Sequence, residues 1–182
     1  AMRMQITAYL PIALNHPAAH SAHPAFSKLF VQTEFCAEAQ ALLARRRPRA
    51  AGEHAPWMSA RLDGPGELRW DTDRAKFLGR GWGLSSPQGV VEGLAAHQTN
   101  VLDPAFVLQR TLVVADGCSE SVTLVMGAAE SRDDALALMR LPLSELLPAS
   151  QSPALPLQAL AGAMLYGWPS IAAAAAERQQ AS

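Results

Sequence analysis

A chain of 182 residues, 49% hydrophobic and 17% charged, has enough apolar material for a buried core and too much to be disordered. Its formal net charge of -1 excludes the basic footprint of a nucleic-acid binder and a polybasic membrane patch. No apolar run approaches the roughly 20 residues of a membrane span, and the N-terminus has no basic-then-apolar leader.

The periodicity is mostly two. Met4, Ile6, Ala8, Leu10, Ile12 and Leu14 alternate with Gln5, Thr7 and Tyr9, which predicts a half-buried strand with the tyrosine on the polar face. Ser27 to Phe35 predicts a second strand, with Leu29, Val31, Thr33 and Phe35 on one side. Ala41 to Arg47 fits strand or helix, and its pattern does not decide between them. Pro56 to Leu62 and Glu67 to Trp70 flank Asp63-Gly64-Pro65-Gly66, which predicts a hairpin. Phe106, Leu108, Leu112 and Val114 alternate with Gln109 and Thr111, and Asp116-Gly117 turns the chain into Ser121 to Met126. Short strands at regular spacing point to an antiparallel, mostly β fold.

The last third differs. Ser131-Arg132-Asp133-Asp134 reads as an N-cap with acidic first-turn residues, leading a short helix, Ala135 to Arg140, that stops before Pro142. The predicted organisation is a sandwich domain over 1–140, a Pro/Ser/Ala-rich linker over 141–156 and a helical segment over 157–182. In that segment Leu157, Leu160, Ala161, Met164, Leu165 and Trp168 recur at helical spacing.

Few constellations carry chemistry. His16, His20 and His23 lie in a Pro/Ala-rich stretch with no cysteine or carboxylate close by, so solvated loop histidines are preferred to a metal cluster. Cys36 and Cys118 have no metal-site spacing and read as unpaired thiols of a reducing compartment. Asp71 and Asp73 suit acid/base work in principle, but turn capping is the commoner fate of such a pair. Gly79-Arg80-Gly81-Trp82-Gly83 follows no strand-then-helix phosphate pattern. Arg45-Arg46-Arg47-Pro48-Arg49 reads as a solvated strand end, given the near-zero net charge. No metal or other cofactor is expected.

The stretch Asp73-Arg74-Ala75-Lys76-Phe77-Leu78-Gly79-Arg80-Gly81 packs an acid, three cations and two glycines around one aromatic, which suits a structured loop meeting a polar ligand or another domain. Trp57, Trp70 and Trp82 surround it in sequence. Rings beside charged groups are common in sugar sites, because pyranose C–H faces stack on rings while hydroxyls take charged hydrogen bonds. The candidate contact residues are therefore Trp70, Asp73, Arg74, Phe77, Arg80 and Trp82. The competing reading makes Phe77 and Leu78 core, with Asp73 and Arg74 a structural ion pair.

Five stretches resemble cyclic β-1,2-glucan synthases: His23 to Glu34, Ala41 to Arg49, Asp73 to Gly81, Val101 to Phe106 and Gly127 to Arg132. Their order and rough spacing agree from about Met4 to Met139. The last module of those large bacterial enzymes is similar to the family 94 glycoside phosphorylases. The resemblance implies a partial antiparallel β-sandwich of the supersandwich, galactose-mutarotase-like type, with C-terminal helices. It places the catalytic acid in an (α/α)6 barrel that this chain lacks, so no catalytic residue is expected here. Leu160 to Tyr166 resembles the lead-in to that barrel. The implied partners are a β-glucan oligosaccharide, the barrel on a longer chain or a separate partner, and a second copy covering exposed sandwich edges. The implied location is cytoplasmic, on a parent enzyme anchored in the bacterial inner membrane.

Overall fold

The computed structural model describes residues 1–146 except Ala51 and His54; the predicted segment 157–182 and most of the linker lie outside the described residues. Two antiparallel sheets face each other. The first has the order β1 (Met2–Pro11), β6 (Pro104–Val114), β5 (Glu67–Asp73). The second has the order β2 (Val31–Cys36), β3 (Ala41–Arg46), β4 (Trp57–Asp63), β7 (Thr123–Ala129). Ala8, Leu10 and Ile12 from the first strand region, Phe106 and Leu108 from β6, and Leu42, Ala44, Ala60 and Leu62 from the second sheet close the core between them. Removing each large apolar side chain from water contributes about 1.5–3 kcal/mol.

Helices cover both outer faces. Helices α3 (Arg74–Leu78) and α4 (Gln88–Glu92) lie over the first sheet, where Tyr9, Phe77, Ala105 and Val107 form a second cluster. Helix α5 (Arg132–Arg140) lies over the second, placing Ala135 and Leu136 against Leu43 and Trp57. Its N-cap follows the predicted pattern: the Ser131 hydroxyl accepts from Asp134 N at 3.1 Å. At its other end Arg61, on β4, donates to the carbonyls of Met139 and Leu141, so a cation meets the negative end of the helix.

This layering explains the ambiguity of Ala41 to Arg47. Strand β3 is buried on both faces, Leu42 and Ala44 toward the core and Leu43 toward α5, so its period of two disappears. It also corrects the placement of Tyr9. The alternation put this residue on a polar face, but α3 covers that face and buries it.

Three further expectations are corrected. Ser27 does not begin a strand. Pro17 and Pro24 open the short helices α1 (Pro17–Ala22) and α2 (Pro24–Lys28), and β2 starts only at Val31. The stretch read as a histidine-bearing loop is thus largely helical. Its His16 ring caps α1 by accepting from Ala18 N at 3.3 Å.

The Asp63–Gly66 turn does not make a hairpin. Strand β4 belongs to one sheet and β5 to the other, so the turn carries the chain across the sandwich. Arg110 holds the crossing, with Nε on Leu62 O at 2.9 Å and Nη1 on Gly66 O at 2.8 Å. Gly66 has φ +85° and lies against the Thr111 carbonyl, where a Cβ would clash. The Asp116-Gly117 turn likewise joins β6 to β7 in opposite sheets.

Candidate functional site

Within the stretch Asp73 to Gly81, Asp73 and Gly79 cap the five-residue helix α3, which has an open cleft at its side. Asp73 ends β5 and caps α3, its Oδ1 accepting from Ala75 N at 2.9 Å and Lys76 N at 3.1 Å. Phe77 points inward, 1% exposed, and stacks on Tyr9 with ring centroids 5.3 Å apart. Gly79, at φ +80°, ends the helix against Gln88 of α4. Gly89 permits the close approach of α4, since a Cβ there would lie 2.8 Å from Phe77 Cδ2.

Arg74 is tied to the strand beneath it, and its partner is Asp103 rather than Asp73. Nη1 donates to Asp103 Oδ2 at 2.8 Å, Nε donates to the Tyr9 hydroxyl at 2.7 Å, and Lys28 Nζ takes Asp103 Oδ1 at 2.6 Å. Burial raises the Asp103 carboxyl, but the hydrogen bonds and charges of Lys28 and Arg74 outweigh it and hold the group below its ordinary value. Burial pushes the Tyr9 phenol up, against the lowering effect of Arg74. The expected Asp73–Arg74 pair is therefore corrected: Asp73 is spent on the cap, and the ion pair crosses to a residue 29 positions away.

Asp71 organises the cleft. The residue is 2% exposed. Oδ1 accepts from Asp73 N at 2.8 Å, while Oδ2 accepts from Ala95 N at 3.2 Å and lies 2.9 Å from His97 Nδ1. Residues Leu94 to Thr99 form a strap along the β5 edge. Thr72 donates its N–H to His97 O at 3.1 Å and its hydroxyl to the same oxygen at 2.8 Å. Thr33 and Thr99 pair as an isolated bridge. The strap, α3 and α4 enclose about 600 Å³, lined by Asp71, Lys76, Arg80, Gln88, Glu92 and His97, among others. Gln88 Nε2 donates to Glu92 Oε2 at 2.7 Å.

The structure separates the residues grouped by the sequence. Arg80 lines the cleft and is exposed. Trp82 is 45% exposed on the loop that follows. Asp73, Arg74 and Phe77 form the helix and its anchors. Trp70 packs between the sheets, stacked on Phe35 with centroids 4.4 Å apart. Trp57 lies on the opposite sheet under α5, beside the Arg45 guanidinium. Lys76, Glu92 and His97 were not singled out from sequence. His97 stands 26 residues from Asp71, and no local pattern links the two. Among the described residues, no group of three or more histidines, cysteines or carboxylates is arranged to hold a metal ion.

A sandwich of two facing antiparallel sheets agrees with the comparison to known families: residues 1–141 match the glycosyl hydrolase 94 supersandwich domain. The chain belongs to that family. It is also similar to the cyclic beta-(1,2)-glucan synthase NdvB of Rhizobium meliloti (strain 1021), 29% identical over 136 residues. That alignment covers 71% of this chain and 5% of the synthase, so the chain spans a small part of that relative's length. Among the described residues, no helix is long and apolar enough to cross a membrane.

Proposed function

We propose that the chain is a non-catalytic sandwich module of a glucan-synthesising or phosphorolytic enzyme, and that the cleft beside α3 contacts a β-linked glucan. One observation carries this reading. The cleft presents Lys76, Arg80, Glu92 and His97 from a scaffold whose buried groups, Asp71 and Phe77, are committed to structure. Hydroxyl-rich ligands are held by this mixture of charged donors and carboxylate acceptors, with Trp82 close in sequence as a stacking face. No catalytic role is assigned to these residues. The module sits on the cytoplasmic side of its parent enzyme.

The test is calorimetry of the full chain with β-1,2-linked gluco-oligosaccharides. Saturable heat that is lost on Arg80→Ala, with the melting temperature unchanged, supports the reading. Absence of heat in the unaltered chain rejects the carbohydrate contact.

A second reading is favoured by the similarity to a synthase many times longer. In it the same face packs on a catalytic barrel supplied by a longer chain or a partner. Adding that barrel as a separate polypeptide would then protect the α3 and α4 amides from hydrogen exchange.

A further inference from the structure

We infer that β7 is the pairing edge through which two copies of this chain associate, forming one continuous sheet across a twofold axis. The four sheet edges among the described residues are treated very differently. Strand β5 carries Glu67, Arg69, Asp71 and Asp73, has a bulge between Asp71 and Asp73, and is strapped by His97. Strand β2 carries Glu34, bridges to Thr99, and donates Phe35 N to Gln98 Oε1 at 3.2 Å. Strand β1 carries Arg3 and ends in Pro11. These are the usual devices that stop an edge from recruiting another strand.

Among the described residues, strand β7 has none of them. Its sequence, Thr-Leu-Val-Met-Gly-Ala-Ala, has no charge and no proline, and its register with β4 runs without a bulge. Beside it, Leu14, Pro56, Trp57, Met58, Met126, Gly127 and Ala128 line an apolar groove of about 320 Å³. Met126, at the middle of the strand, is 41% exposed.

The occupant that fits is a second copy, because the strand is complementary to itself. A twofold axis through Met126 sets antiparallel partners Leu124 opposite the partner's Ala128, Val125 opposite the partner's Gly127, and Thr123 opposite the partner's Ala129. Leu124 and Val125 then meet small residues, and Met126 meets its own copy on the axis, at the roughly 4.5–5.5 Å separation of directly opposed residues. An isologous contact places like charges together, so a neutral strand on a chain of net charge -1 meets little repulsion.

The test uses the full chain. Sedimentation velocity should give twice the chain mass. Met126→Lys, at an exposed position, should weaken association by at least roughly tenfold, because each lysine would face its own copy in an apolar contact. Circular dichroism should show that this variant keeps its fold. In a Cys118→Ser background, Met126→Cys should form an intermolecular disulfide on mild oxidation, and Val91→Cys on the distant α4 should not. A monomeric unaltered chain would overturn the inference. So would a dimer that tolerates Met126→Lys and fails to cross-link through the introduced thiol.

Discussion

Asp71, buried at the end of β5, orients the half-exposed ring of His97, with Oδ2 and Nδ1 2.9 Å apart. The same carboxylate accepts the amides of Asp73 and Ala95. One side chain thus joins the end of a strand, the cap of α3 and the strap that forms a cleft wall. Asp71→Ala strands these donors, and each unsatisfied buried group costs about 1–3 kcal/mol. The expected loss is about 3 kcal/mol by urea denaturation, with faster hydrogen exchange at Ala95. Asp71→Asn retains an acceptor and should lose less.

Phe77 and Trp82 lie five positions apart, and their environments are opposite. Phe77→Ala empties the cluster beneath α3 and should cost about 3–5 kcal/mol. Trp82→Ala, at an exposed position, should change stability by no more than about 0.5 kcal/mol. Chemical denaturation of both variants separates a core aromatic from a surface one.

The Lys28–Asp103–Arg74 cluster should be visible in the acid limb of stability. The folded-state pKa of Asp103 lies below its ordinary value of 3.8. The unfolded chain therefore binds the proton more readily. The contribution is fully present above pH 3.8 and is lost as pH falls through the lower folded value. Asp103→Asn should lower stability at neutral pH and flatten this acid dependence, measured by denaturation at a series of pH values. Tyr9 has the opposite sign: burial raises its phenol, so its contribution is present below pH 10.0 and is lost as pH rises through the higher folded value. Tyr9→Phe should remove that alkaline component.

The parts legible in the sequence were those governed by neighbours along the chain. The alternation from Met4 to Leu14 marks a strand, which ends at Pro11, and Ser131 marks the start of α5, because both signals are local. The sheet to which a strand belongs is not local. Glu67 to Trp70 looks the same whether it pairs with β4 or crosses to β6, and Arg110 stabilises the crossing from a distant strand. Tyr9 was misplaced because a polar-face position becomes core once α3 covers it. Within the candidate site, Arg80 was legible as an exposed cation in a glycine-rich stretch. His97 was not, because only the fold brings it to Asp71.

The separation of scaffold from contact residues also predicts how variants should divide. Lys76→Ala and Arg80→Ala should each leave the melting temperature within about 2 °C of the parent, as expected for exposed sites. The double variant should abolish glucan binding. Arg74→Ala should instead lower the melting temperature, because it removes the ties to Asp103 and Tyr9.

The most direct test of the central claim is an amide-resolved nuclear magnetic resonance titration of the full chain with β-1,2-linked gluco-oligosaccharides. The account predicts saturable shifts confined to Lys76–Trp82 and Glu92–His97, with the β3 and β4 amides unmoved. Saturable shifts centred elsewhere, or none at all, would contradict it.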